Sequence, residues 1–336
     1  MSSLTSESDL SDLVTKLKNL NHAVPKDEAT RKSLVDAARS LVFALETPGD
    51  SIQRIAYTSL QTITARVASD INLFEILSNR GDLPSSTSEL AEATKTNEVL
   101  LETKYQNPTD STHTPFQKGH GTDLVPFLWL QDKPTYLNNF GSWMTASREG
   151  QNTFLDIFPF EKEVASNMKP ETPLFVDIGG SVGHQCVALK KRLPKIPGRV
   201  ILQDLPPVIA HAIPEEGVEP MAHDFMTEQP IKGARAYYLR NIMHDWPDDK
   251  CIVILGQIMK AMNEDSVILI DDMILSNQGV DWRVTQLDLT MMASLGAMEG
   301  TEKQWYSLMD SAGLKINRVC TYTPDLRDSI IVAVPK

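Results

Sequence analysis

The chain has 336 residues, 41% of them hydrophobic, and a formal net charge of -12, which is enough sequence for one large core and a smaller region beside it. That charge disfavours attraction to nucleic acid or anionic lipid, and the basic cluster LKKRLPKIPGR at 189–199 reads as a helix end where cations complement the dipole. No run of about 18 apolar residues occurs and the N-terminus, MSSLTSESDLSDL, is polar and acidic, so the expected setting is cytoplasmic, with no membrane partner.

Residues 1–50 alternate charged and apolar positions with helical spacing (Leu10, Leu13, Val14, Leu17, then Leu34, Val35, Ala38, Leu41, Val42), and read as helices without a core of their own. Residues 51–80, SIQRIAYTSLQTITARVASDINLFEILSNR, are more apolar and again helical; such a stripe is buried against other helices or a second subunit, so a homodimer is expected. SSTSELAEAT predicts one short capped helix, and the stretch from Thr103 to Leu124 has no clear period. The aromatic-rich NNFGSWM and NTFLDIFPFEKEV return to helical patterning before a linker at Asn167 to Pro173.

From Leu174 onward strands and helices alternate: LFVDI, a helix, RVILQDL, a short helix near Pro207, ARAYYLRNIM, a helix from Pro247, SVILIDDMIL, helices from about Val280 and from Thr301, then LKINRVCTY and SIIVAV. This order predicts an α/β fold with a doubly wound, mostly parallel sheet, an antiparallel pair at its end and a ligand at the carboxyl ends of the strands. The three cysteines, Cys186, Cys251 and Cys320, lie far apart in apolar patterns and read as reduced core residues rather than disulfide partners or metal ligands.

Two motifs carry chemistry. In FVDIGGSVGH a strand meets a turn containing Gly179, Gly180 and Gly183 and then a helix, so backbone can approach a ligand closely while helix N–H groups face it. Asp204 ends the next strand at the separation expected of a carboxylate that binds ribose hydroxyls; an ordinary tight turn is the competing explanation. In LRNIMHDWPDDKC, His244, Asp245 and Trp246 fall at a strand's carboxyl end, just before a helix opened by Pro247. Histidine suits a general base near neutrality, although a lone histidine is as readily structural. Asp271 and Asp272 end an apolar strand, and Glu299 precedes a helix whose Thr301 and Gln304 have capping-box spacing. Carboxylates at two such ends would orient an imidazole and stabilise its protonated form.

FVDIGGSVGH, VILQDLPPVI, YYLRNIMHDWPDDKCIVIL, VILIDDMIL and GAMEGTEKQWYSLMDSAGLKI, in this order, resemble the successive motifs of the S-adenosylmethionine-dependent small-molecule O-methyltransferases of the plant caffeate and fungal secondary-metabolite type. The resemblance covers residues 115–336 and implies a Rossmann-like class I methyltransferase domain over 111–336. It likewise implies an N-terminal helical, winged-helix-like dimerisation region over 1–110. Between Val99 and Tyr105 that region is short by several tens of residues relative to the family.

Carried over residue by residue, the resemblance implies that Asp177, Gly179, Gly180 and Gly183 hold the methionine part of the cofactor, with Asp204 and Leu205 at the ribose. It places Asp224 and Phe225 at the adenine and Arg240 at a basic position near the cofactor. His244 matches the general base and Asp272 and Glu299 its acidic flanks. Asp245, Phe140, Trp143, Met144, Met291 and Met292 match the substrate pocket, with Met298 extending its methionine-rich wall.

No metal is required, because a sulfonium methyl is already electrophilic and the residues need only place an aromatic hydroxyl and remove its proton. Ser181 stands where the family usually has glycine, and is expected to need a negative φ. Two other functions fit the same motifs: a cofactor-bound cyclase or pericyclase that does not methylate, which would not need His244, and an inactive relic with a binding or regulatory role.

Overall fold

The computed structural model describes residues 7–20, 25, 27–81, 83–85, 89, 90, 93, 108–146, 152–166, 168–323 and 326–336. The expected short helix in SSTSELAEAT lies mostly outside these residues, and the shortened segment at 99–105 entirely so. The chain divides into two compact units, one formed by Met1–Ala56 with Trp143–Arg148 and the other by Tyr57–Ser142 with Glu149–Lys336.

The first unit contains α1 (Glu7–Leu20), α2 (Glu28–Leu45) and the start of α3 (Pro48–Asp70). Asp27 caps α2 by accepting the Thr30 N–H at 2.8 Å, and the Glu46 carboxylate receives Arg54 in a two-pronged bond at 2.7 and 2.9 Å across the α2–α3 corner. No residue of α2 is buried, as expected of helices lacking their own core, and Leu10, Val14, Val42 and Phe43 stay exposed.

The second unit carries the sheet. Ahead of it run the rest of α3, α4 (Leu73–Arg80), α5 (Pro115–His120), α6 (Pro126–Gln131), α7 (Pro134–Ala146, counted with the first unit from Trp143 on), α8 (Phe154–Ile157) and α9 (Phe160–Glu163). There follow β1 (Pro173–Ile178), α10 (His184–Arg192), β2 (Arg199–Asp204), α11 (Pro206–Ile209), β3 (Val218–Ala222), β4 (Ala236–Arg240) and a 3-10 turn (Met243–Asp245). The last elements are α12 (Asp248–Met259), β5 (Val267–Met273), α13 (Trp282–Leu295), α14 (Glu302–Ser311), β6 (Leu314–Thr321) and β7 (Asp328–Pro335).

The seven strands run in the order β3-β2-β1-β4-β5-β7-β6, with β1 to β5 parallel and β7 antiparallel to both neighbours. The doubly wound sheet and its antiparallel end are therefore as the alternation predicted. One strand was not: β3, VEPMA, carries Pro220, which argues against a strand in the sheet interior but is tolerated at an edge where no further ladder bond is required.

Side-chain alternation divides the core between the two faces. On one, Val176, Ile201, Tyr237 and Ile268 pack under Ile254 and Leu255 of α12 and Trp305 and Leu308 of α14. On the other, Phe175, Leu202, Tyr238 and Leu269 pack with Leu189 of α10 and with Phe154 and Phe160. Strand order reverses between β1 and β4, so the crevice at their carboxyl ends is the natural ligand position.

Candidate active site

The glycine-rich turn leaves β1 with Gly179 at φ 68° and reaches α10 through Gly183 at φ 95°. Between them Ser181 has φ 55°, so the expectation of a negative φ is corrected: the turn keeps its left-handed residue although the side chain there is not glycine. Its N–H donates to Asp204 Oδ2 at 2.8 Å, and the Leu205 N–H donates to Oδ1 at 2.7 Å. The carboxylate that ends β2 is thus fixed against the turn, with lone pairs left over.

A side chain on any of the three glycines would collide. A Cβ on Gly179 would lie 2.6 Å from Ile242 Cδ1, on Gly180 2.5 Å from Asp177 Cγ, and on Gly183 2.9 Å from Leu202 Cδ2. Beneath the turn Asp177 is 1% exposed; its Oδ1 has no hydrogen-bond partner and its Oδ2 receives only the Cys186 thiol at 3.5 Å. Burial pushes the Asp177 carboxyl up to about 7, against the lowering effects of that thiol and of the Arg240 charge. Arg240 itself lies 3.7 Å from Asp271, which also accepts the hydroxyls of Tyr238 and Tyr322. Asp224 is exposed and accepts the Met226 N–H at 2.9 Å, while Phe225 meets Trp246 edge to face at 6.0 Å.

Successive residues of β5 point to opposite faces, which separates its two acids. Asp271 joins the Tyr238, Tyr322 and Arg240 network, and Asp272 turns to His244. Asn241, at φ 51°, leaves β4 and donates its N–H to Asp271 O at 3.1 Å, and the 3-10 turn that follows carries His244. His244 Nδ1 lies 3.0 Å from Glu299 Oε1 and 3.5 Å from Asp272 Oδ1, and its Nε2 lies 3.5 Å from Asp245 Oδ1.

The two acids predicted to flank the histidine are therefore brought to it from two other chain segments, β5 and the loop before α14. The side chains of His244, Asp272 and Glu299 are 11%, 0% and 1% exposed. With the Glu299 carboxylate accepting at 3.0 Å, Nδ1 is the nitrogen that carries the held proton, and Nε2 is the one left for exchange. Burial opposes charging the ring, but Glu299, Asp272 and Asp245 outweigh it and hold the imidazole well above its usual pKa. Burial raises Asp272 well above the carboxylate range, against the pull of His244, and pushes Asp245 up to about 6.

Glu299 sits in the loop between α13 and α14. Gly296, at φ 65°, ends α13, and the capping box of Thr301 and Gln304 opens α14 as the spacing predicted. Two neighbours went unread in the sequence. Asp288 Oδ1 accepts the Glu299 N–H at 2.9 Å, and Tyr57 of α3 is 6% exposed, beside Thr290 and within the field of Glu299. Asp288 lies in an amphipathic helix where an acid reads as solvated, and Tyr57 lies in a stripe that reads as packing; neither carries a local signal.

The expected pocket residues are dispersed. Met291 and Met292 are half-buried on α13, and Phe140 is 37% exposed, 6.5 Å from Phe127. Trp143 and Met144 fall in the first unit, and the Trp143 side chain lies outside the described residues.

The O-methyltransferase domain profile matches residues 114–315, well over half the chain. The chain belongs to the O-methyltransferase family. It is 35% identical to O-methyltransferase lepI of Aspergillus flavus over 359 residues, covering 88% of this chain and 92% of the relative. That alignment is longer than the 336-residue chain itself, so the relative has segments without a counterpart here. Demethylsterigmatocystin 6-O-methyltransferase of the same fungus is 41% identical over 71% of this chain and 61% of its own length.

Among solved structures, LepI in complex with SAM superposes with a TM-score of 0.66 at 32% identity, over 98% of this chain and 100% of that one. A structure described as a pericyclic reaction enzyme does so equally well, at 33% identity over 97% and 100%. The family's cofactor is S-adenosylmethionine, and this chain's residues fit it: a buried carboxyl with an open oxygen at Asp177, a turn that admits no side chain at its glycines, and an anchored carboxylate at Asp204. Among the described residues no helix is long and apolar enough to cross a membrane.

Proposed function

We propose that this O-methyltransferase methylates a hydroxyl on an aromatic small-molecule secondary metabolite, with His244 as general base. The observation that carries this reading is the hold of Glu299 on His244 Nδ1 at 3.0 Å, with Asp272 behind it, which directs Nε2 to proton exchange. When bound, S-adenosylmethionine supplies an electrophilic methyl. Asp177, Gly179, Gly180 and Gly183 hold its methionine end, Asp204 and Leu205 its ribose, Asp224 and Phe225 its adenine, and Arg240 balances the charge of Asp177 beneath the turn.

In the neutral ring, which forms as pH rises through the raised His244 value, Nε2 takes the acceptor's proton, a contribution of roughly 10² to 10⁴ in rate, and Glu299 stabilises the imidazolium that results. A phenol, with a pKa of about 10, matches this base better than an aliphatic alcohol. Phe140, Asp245, Met291 and Met292 are the candidates for the acceptor's side, and the exposed apolar positions of α1 and α2, such as Leu10, Val14, Val42 and Phe43, are the candidates for pairing two copies of the chain.

The relatives support methyl transfer to an oxygen of a small molecule, since demethylsterigmatocystin 6-O-methyltransferase is one of them. They also keep a second reading open, a cofactor-bound pericyclase, through the similarity to a pericyclic reaction enzyme. The buried His244 cluster favours methyl transfer, for a rearrangement needs no proton acceptor held in this way. The test is His244→Ala, assayed for S-adenosylhomocysteine formation with a panel of phenols and for cofactor binding by calorimetry. Turnover is expected to fall at least 100-fold with binding nearly unchanged; equal loss of both refutes the base, and conversion of substrate without S-adenosylhomocysteine establishes the pericyclase.

A further inference from the structure

We infer that the His244, Asp272 and Glu299 cluster is also a divalent-cation site of zinc type, and that an ion there withholds His244 from proton transfer. The inhibitory consequence rests on the proposed role of His244; the site itself does not. One ring nitrogen and one oxygen from each carboxylate lie within 4.8 Å of one another, and two of the separations are 3.0 and 3.5 Å. A tetrahedral zinc ion with ligands at about 2.0–2.2 Å sets its donors about 3.4 Å apart, so the side chains need to move by only a few tenths of an ångström along these two edges.

The independent sign of a missing partner is in the carboxylates. Both oxygens of Asp272 and Oε2 of Glu299 are buried without any hydrogen bond, on side chains 0% and 1% exposed. Buried anionic oxygens in that state are costly unless a proton or a cation satisfies them. One imidazole nitrogen and the two carboxylates at Nδ1 form a donor set of one nitrogen and hard oxygens. Such a set suits zinc and its first-row neighbours rather than calcium or magnesium, which favour all-oxygen sites. Nothing in the turn at Gly179 takes part, so the ion and the cofactor bind independently.

The full-length protein, stripped with chelator, is titrated with zinc chloride alone by calorimetry, and the ion is then located by anomalous scattering at the zinc edge. The expected result is one ion per chain at the cluster, with binding weakened at least 10-fold in both Asp272→Asn and Glu299→Gln and unchanged in Cys251→Ser. Retained S-adenosylhomocysteine binding by each variant shows that it is folded. Zinc that does not bind, or whose binding is indifferent to both carboxamide variants, overturns the site. Zinc bound at the cluster while methyl transfer continues undiminished leaves the site standing and overturns His244 as the base.

Discussion

Glu299→Gln isolates the electrostatic part of the His244 cluster, because glutamine keeps an oxygen that accepts the Nδ1 proton and removes only the charge. In the parent the carboxylate lies 3.0 Å from Nδ1 and both side chains are buried, 11% and 1% exposed, so solvent screens the pair weakly. An opposite charge at such range moves a pKa by about one to three pH units. The raised His244 value is expected to fall by that amount, with Asp272 and Asp245 keeping part of the elevation.

The readout is a nitrogen-edited NMR titration of ¹⁵N-histidine protein, the His244 signal being assigned by its absence in His244→Ala. Stability follows with a definite sign. A histidine whose pKa is raised on folding stabilises the fold fully below about pH 6.5, and that contribution disappears as pH rises through the folded value. The variant should therefore lose most stability relative to the parent in acid and approach it in alkali. The rising limb of a kcat profile should move to lower pH as well, with a lower plateau because the imidazolium is less well stabilised. A His244 titration that does not move in Glu299→Gln refutes the assignment of Glu299 as the group that sets it.

Substitutions at three other positions test the supports of the two motifs. Asp288→Ala leaves the Glu299 N–H without its acceptor, at a cost of about 1–3 kcal/mol, and should lower kcat; Asp288→Asn keeps the oxygen and should recover most of both. If the asparagine variant is as impaired as alanine, the hydrogen bond is not what matters. Ser181→Gly relieves a left-handed residue at φ 55° and should raise stability by about 0.5–1 kcal/mol in urea melts, whereas Ser181→Val should lower it. Asp177→Asn removes a carboxyl raised to about 7 from an unfolded value of about 3.9, so the parent's burial cost is absent in acid and grows to about 4 kcal/mol above pH 7. The variant should be the more stable protein at pH 8 but not at pH 4, and calorimetry should show weaker S-adenosylmethionine binding; equal pH dependence of the two proteins contradicts the buried charge.

What was legible in the sequence was what short-range pattern encodes. The mostly parallel sheet with its antiparallel end follows from alternating apolar runs, and His244 could be placed at a strand's carboxyl end because Pro247 and two aspartates mark the next helix start. The edge strand β3 was missed since Pro220 and flanking Glu219 break the apolar run that identifies interior strands. Ser181 was misjudged for a related reason: glycine spacing shows where a turn lies, but φ is fixed by the bond from the Ser181 N–H to Asp204, 23 residues away.

The cluster around His244 marks the limit more sharply. Adjacent Asp271 and Asp272 look alike in sequence, yet the two-residue period of a strand sends one to a tyrosine–arginine network and the other to His244. Period alone cannot decide which goes where without knowing which face holds α12 and α13. Asp288 is less legible still, since its role depends on a loop that returns Glu299 to a helix 11 residues earlier. The carboxylates beside the histidine could be named from motif order, whereas the groups that hold those carboxylates in place are visible only once the chain is folded, and it is these that fix which ring nitrogen Glu299 engages.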